Sequence, residues 1–294
     1  MSSIEYSLIV PARCSQEELN RFLDNLARVP GEPSWELIVV DDFSDELLKL
    51  GKDRPKTWKI LRLQKQSGAA RARNAGAMRA QGRHLNFLSV FLTPPQFYLQ
   101  KTEEFIKTNE FDYAQYPFKP HKNTATSWFQ RFVSDHTKRT KPRAGQLSIK
   151  QSLFGAALIK RSLFNELGGF DENMNHYGGH EMDFIYRMAQ KGYRRRVLID
   201  NTILERTRIP DYHAIIKRLR EYGSAGLPSL LSRHPELKTG LLPAESVFKL
   251  LWQLKMTQAA EKILGFLVRQ NLRLPGFAYR LFLHLIMRNA WTAR

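Results

Sequence analysis

Residues 36–45 read ELIVVDDFSD. The short β-branched run Glu36-Leu-Ile-Val-Val40 stops at Asp41-Asp42. This is the pattern of a buried parallel strand that delivers carboxylates to its C-terminal end. Upstream, Tyr6-Ser-Leu-Ile-Val10 is a second such run, stopped by Pro11. Between the two, Ser15 and Glu18 form a capping box, and Leu19, Phe22, Leu23 and Leu26 share one helical face that Pro30-Gly31 closes. Strand, helix and strand in that order make a βαβ unit.

The alternation continues. Residues 58–63 are expected as a third strand, 68–80 as a second helix and 85–88 as a fourth strand. An open α/β sheet follows, with ligand bound at the carboxyl ends of its strands. After Pro94-Pro95 the pattern loosens. Strands are expected over 111–118 and 154–159, with helices over 127–136, 162–167, 181–190 and 211–222, the last two stopped by glycine. Lys138-Arg-Thr-Lys-Pro-Arg143 reads as a basic loop.

With 294 residues, the chain is long enough for one large domain and an appendage. Its 46 Lys and Arg against 28 Asp and Glu give a net charge of +18, an excess that suits polyanions. The basic residues are spread along the chain without a recognisable nucleic-acid motif, so no specific nucleic-acid partner is expected. The single cysteine, Cys14, excludes an internal disulfide and fits a reducing compartment. Neither a secretory signal nor an uncharged apolar stretch long enough to span a bilayer is evident, so a cytoplasmic location is expected. From Leu241 onward the chain reads as helical. Over 277–291 it is apolar nearly all round, except that Arg280, His284 and Arg288 recur every fourth residue. Two readings stand for that helix. One packs it on the domain or a second copy of the chain, and the other lays it on anionic lipid at the inner face of the membrane.

Beyond these patterns, Ser7-Leu-Ile-Val-Pro-Ala-Arg13, Glu36–Asp45, Gly68-Ala-Ala-Arg-Ala-Arg-Asn-Ala-Gly76, Phe154–Glu172 with its Gly-Gly-Phe-Asp-Glu ending, Gly178-Gly-His-Glu-Met-Asp-Phe184 and Arg220-Glu-Tyr-Gly223 occur in order. Together they resemble the family 2 glycosyltransferases of GT-A fold over residues 5–225. The resemblance implies a Rossmann-like, mostly parallel mixed sheet flanked by helices over 1–235, followed by a C-terminal helical appendage over 236–294. Residues 1–95 would form the nucleotide-sugar half and 96–235 the acceptor half. It further implies that Asp41 or Asp42 meets the base or ribose, that Pro11, Ala12 and Arg13 wall the base, and that Arg71 and Arg73 face phosphate at the start of the second helix. Glu181 falls at the position of the general base, with His180 orienting the acceptor or relaying the proton and Asp183 bracing the loop. The implied reaction inverts at the sugar carbon. The implied donor is a nucleotide sugar, UDP-linked by the family's commonest usage, and the acceptor a glycan or lipid-linked hydroxyl.

One family element is missing. The Asp-x-Asp segment that holds a divalent cation falls on Ser89-Val90-Phe91, and the downstream His ligand falls near Glu205-Arg206. Ser, Val and Phe do not supply the hard oxygens that Mg²⁺ or Mn²⁺ needs, so no metal and no cofactor is expected. Arg206, Arg208, Lys138 and Arg139 would then neutralise the diphosphate, with Ser89 and Phe91 under the donor. A unit charge about 4 Å away is worth roughly 4 kcal/mol at an effective dielectric of 20. The alternative is an inactive GT-A module that binds a nucleotide, a glycan or a partner.

Overall fold

The computed structural model describes residues 4–27, 34–122, 124, 126–135, 146–174, 176–238, 250–251, 253 and 255–292. The first half alternates β1 (Tyr6–Ala12), α1 (Gln16–Ala27), β2 (Trp35–Asp41), β3 (Trp58–Arg62), α2 (Ala69–Arg79) and β4 (His84–Leu88). Next come β5 (Leu92–Thr93), α3 (Tyr98–Thr108), β6 (Tyr113–Gln115), β7 (Phe118–Pro120), α4 (Trp128–Ser134), β8 (Ala156–Lys160), α5 (Arg161–Glu166), α6 (His180–Gln190), β9 (Arg196–Leu198) and β10 (Leu204–Arg206). The chain closes with α7 (Tyr212–Glu221), a π-helical turn over Tyr222–Gly226, α8 (Leu227–Arg233), α9 (Thr257–Arg269) and α10 (Gly276–Thr292).

Among the described residues, one sheet runs β3-β2-β1-β4-β8-β6-β9 and a smaller one β5-β10-β7. β1, β2, β3 and β4 are mutually parallel, and β8 runs antiparallel to both β4 and β6. The result is the expected mixed, mostly parallel sheet flanked by helices. Alternate residues feed opposite cores: Leu8 and Val10 of β1 pack on the α1 side, and Ile9 packs on the α2 side. Both faces are therefore covered, which explains why these strands read as unbroken apolar runs. At Gly76 a Cβ would lie 2.4 Å from the Ile9 side chain, so glycine lets α2 seat directly on β1.

Several local expectations differ. β1 continues through Pro11, which pairs with Val40 beyond the point where β4 last pairs with β1, at Ile9 and Phe87. The ladder on that side needs no N–H from it. The expected strand over 111–118 is two strands, β6 and β7, in different sheets. Helix α3 and strands β9 and β10 were not anticipated. α7 does not stop at Gly223 but runs through the π-helical turn into α8. Gly223 instead abuts α10, where a Cβ would meet the Met287 carbonyl oxygen at 2.2 Å. The helix-closing Pro30-Gly31 and the basic loop 138–143 lie outside the described residues.

α10 is packed on the domain. Its Tyr279, Phe282 and Ile286 join Phe129 of α4, Ile215 of α7 and Val268 of α9 in a third apolar cluster. No helix among the described residues is long and apolar enough to cross a membrane.

Candidate donor and base site

At the carboxyl end of β2, both predicted aspartates are buried. Asp41 accepts from the Ser44 amide at 2.8 Å and from Arg62 Nη1 at 2.6 Å. Asp42 accepts from the Ser67 and Gly68 amides at 2.6 and 2.9 Å. The amides at the entrance to α2 are thus turned to Asp42 rather than presented to a phosphate. The Asp42 amide donates to Ala12 O, tying the ends of β1 and β2 together. Ala12 is buried beneath this edge, Pro11 is half-buried and Arg13 is exposed just beyond it.

Phe43 follows the aspartate pair with φ 60°, a left-handed conformation uncommon outside glycine, and is 45% exposed. The Arg62 guanidinium lies 4.8 Å from its ring centroid and also donates to Ser44 O and Glu46 O. A braced aromatic ring therefore stands open at the strand ends. Sequence reading named neither residue. A phenylalanine carries no local signal for positive φ, and Arg62 matters only because β3 is placed beside β2.

The Ser89–Phe91 segment is a tight turn. Leu92 N donates to Ser89 O, and the Phe91 amide lies 3.3 Å from Ser89 Oγ. Val90 and Phe91 belong to the apolar core, so the family's metal position is filled by packing and by a hydroxyl engaged with its own turn. Among the described residues no three His, Cys, Asp or Glu side chains converge. The residues present do not fit a divalent cation of the family's kind.

β10 is brought against this turn: Arg206 pairs with Leu92, and the Thr207 amide donates to Phe91 O. Arg208 lies 4.9 Å from the Phe91 ring and 3.3 Å from Glu18, which spends part of its charge. Arg206 sits 4.8 Å from the Phe118 ring and has no carboxylate partner among the described residues. Burial lowers its pKa, the Tyr177 phenol opposes that, and the nearby Arg218 lowers it further. Arg218 in turn stacks at 5.5 Å on Tyr177. Arg206 and Arg218 are thus both near Tyr177, and the charge on Arg218 disfavours the charged form of Arg206.

The third component is built on α2 and α6. Gly178 and Gly179, at φ 77° and 92°, make a left-handed turn that only glycine adopts freely and that starts α6 at His180. Buried Arg73 donates to Glu181 Oε1 at 2.8 Å and to Phe154 O at 3.1 Å, and its Nη1 meets His180 Nε2 at 3.2 Å. Arginine is donor only, so His180 Nε2 accepts and Nδ1 carries the proton. Arg73 Nε and His180 Nδ1 are both buried without a partner among the described residues. Burial pushes the Glu181 carboxyl up, but Arg73, His180 and the Phe154 amide outweigh it and hold it below the usual carboxylate range. Burial, with Arg73 beside it, pushes His180 down to about 4 against the pull of Glu181 and Asp183. Asp183 is buried between His234 Nε2 at 2.8 Å and Arg187 Nε at 2.9 Å.

A family model described as glycosyl transferase family 2 matches residues 7–168. The chain belongs to glycosyl transferase family 2. Curated relatives include a probable N-acetylgalactosaminyltransferase 6 of Caenorhabditis elegans, 27% identical over 197 residues that cover 58% of this chain and 32% of that one. Polypeptide N-acetylgalactosaminyltransferase 3 of Drosophila melanogaster is 28% identical over 196 residues, 57% of this chain and 29% of that one. The matched region is about a third of the length of these relatives. Among solved structures, the mannosyltransferase PcManGT from Pyrobaculum calidifontis, in complex with GDP-Man and Mn²⁺, superposes with a TM-score of 0.59 at 17% identity. That match covers 98% of this chain and 86% of the other. TarS from S. aureus, in complex with UDP-GlcNAc, gives 0.50 at 16% identity over 98% and 92%. The shared feature is the fold.

Within this family 2 chain, the predicted residues separate into groups. Arg73, His180 and Glu181 meet, Arg208 lies over Phe91, and Arg206 is held beside that turn by strand pairing while its guanidinium lies on Phe118. Arg71 turns away from Arg73 to an exposed pairing with Glu172 at 3.5 Å. The remaining diphosphate candidates, Lys138 and Arg139, lie outside the described residues. Sequence reading did not single out Arg218, whose place beside Tyr177 depends on tertiary packing.

Proposed function

We propose that this chain transfers a sugar from a nucleotide-sugar donor, of which a UDP-sugar is the first to test, to a hydroxyl of a glycan or lipid-linked acceptor. Residues 1–95 hold the nucleotide, 96–235 form the acceptor half and 236–294 are an appendage. Asp41, Pro11, Ala12 and the open face of Phe43 form the base edge. Glu181 takes the acceptor proton, and the acceptor oxygen attacks the anomeric carbon with inversion. The bond to the diphosphate breaks, and its electron pair leaves with the diphosphate. The observation that carries this reading is the seating of β10 against the Ser89–Phe91 turn, which brings Arg206 and Arg208 to the place of the family's metal, with no carboxylate partner for Arg206 among the described residues. A half-buried guanidinium without an acid beside it is stabilised by an anion, and a diphosphate is such an anion. The unpartnered donors Arg73 Nε and His180 Nδ1 support an oxygen-rich ligand next to Glu181.

The decisive experiment is turnover of nucleotide sugars in excess chelator. The expected result is transfer or slow donor hydrolysis undiminished by chelation. Dependence on added Mn²⁺ or Mg²⁺ would remove the cation-for-metal reading. A second reading, a module that binds nucleotide sugar without turning it over, is favoured by the Arg73–Glu181 ion pair, which weakens Glu181 as a base. Glu181→Gln separates the two. Loss of about 10²- to 10⁴-fold in turnover with donor affinity retained supports the transferase, and binding without turnover in the native chain supports the module.

A further inference from the structure

We infer that the exposed face of α9, with the turn that leads into α10, docks the protein on an anionic lipid surface. The sequence pattern pointed to α10, but that helix spends its apolar residues on α4 and α7. The uncovered apolar surface lies next to it. Ile263 and Phe266 stand 59% and 53% exposed, three residues apart on one face of α9, and Leu272 and Phe277 are exposed beyond its C-terminus. Trp128 extends the patch. Its amide donates to Asn271 Oδ1 at 3.0 Å, and the Arg273 guanidinium covers its ring at 4.7 Å.

The charge around this patch selects the occupant. Residues 255–292 carry six Lys and Arg against one acid, Glu261, which is already paired with Arg220 and Asn289. Lys262, Arg269 and Arg273 are exposed around the apolar residues. Long cationic stems that run beside apolar side chains, next to a Trp, match the headgroup region of a bilayer, where apolar tips enter the acyl boundary and cations meet lipid phosphates. Each such cation is worth about fivefold in partitioning at an anionic surface. A second copy of this chain would bring the same positive charge to the same face and repel it. This inference stands apart from the transferase reading.

The test is co-sedimentation of the full chain with vesicles of phosphatidylcholine alone and of equal parts phosphatidylcholine and phosphatidylglycerol. Binding is expected to the mixed vesicles, to fall with added salt, and to be at least tenfold weaker on phosphatidylcholine alone. Ile263→Glu with Phe266→Glu, and separately Arg269→Glu with Arg273→Glu, are each expected to weaken binding tenfold or more. Thermal unfolding and nucleotide-sugar binding should stay unchanged, because all four side chains are exposed. The inference is overturned if the native chain stays in the supernatant with mixed vesicles, or if both double variants sediment like the native chain. It is also overturned if light scattering shows a dimer that the Ile263→Glu, Phe266→Glu variant dissociates.

Discussion

The Arg73 guanidinium donates to Glu181 Oε1 at 2.8 Å, and that pairing sets the pH response of the proposed base. Because the folded-state pKa of Glu181 is depressed, its ionised form and the stability it contributes persist above the ordinary carboxylate pKa. Both are lost only as pH falls through the lower folded value. Arg73→Met removes the cation and leaves burial as the dominant influence, so the Glu181 pKa rises. The acid limb of kcat/KM is expected to move to higher pH in that variant, as read from a pH–rate profile. An unmoved limb would remove Glu181 from the mechanism. Phe43 makes a second residue-scale case. Its backbone at φ 60° costs about 1 kcal/mol relative to glycine, so Phe43→Gly is expected to raise stability to denaturant while weakening nucleotide binding. A rise in stability with unchanged affinity would mean that the ring is not part of the base edge. The sequence named Glu181, His180, Arg73 and the aspartate pair as candidates, and the fold brings the first three into contact. It did not reveal that Arg71 and Arg73, two residues apart on α2, point to different partners.

At the scale of elements, legibility follows the range of the interactions. α1 could be read because its capping box is local: the Glu18 amide donates to Ser15 Oγ, and the Ser15 amide donates to Glu18 Oε2. β1 and β2 could be read because a strand covered on both faces is apolar throughout. β9 and β10 have three residues each, too few to show a period, and their partners in the sheets lie far away in sequence. The turn after α7 misled for a related reason. Gly223 serves close approach rather than termination, since any side chain there would meet the α10 backbone. Gly223→Ala is therefore expected to cost about 1–3 kcal/mol, because a helix backbone cannot yield as a flexible side chain does. A clear drop in Tm by calorimetry checks this, and an unchanged Tm would show that α10 is not seated on the turn.

For the molecule as a whole, the buried site carries a stability cost in acid. His180 has a pKa of about 4 in the folded chain against 6.5 when unfolded. Between those values the unfolded chain binds the proton and the folded chain does not, so stability falls as pH drops through that window. The full effect is about 3 kcal/mol. Urea midpoints measured across this range should decline in the native chain and decline less in His180→Gln. Equal slopes would place His180 in a more solvated setting.

What the sequence determined by itself was whatever rests on neighbours along the chain: the strand–helix alternation, the capped α1, the carboxylates at the end of β2 and the excess of positive charge. It also showed that Ser89-Val90-Phe91 carries neither carboxylate of the family's Asp-x-Asp segment, because that is read from the residues alone. Only the tertiary structure decided what those three residues face. Pairing of β5 with β10 brings Arg206 and Arg208 to the turn from another part of the chain. Packing also decided that one face of α10 and one face of α9 share an apolar cluster with α4 and α7, while Ile263 and Phe266 on the other face of α9 stay open.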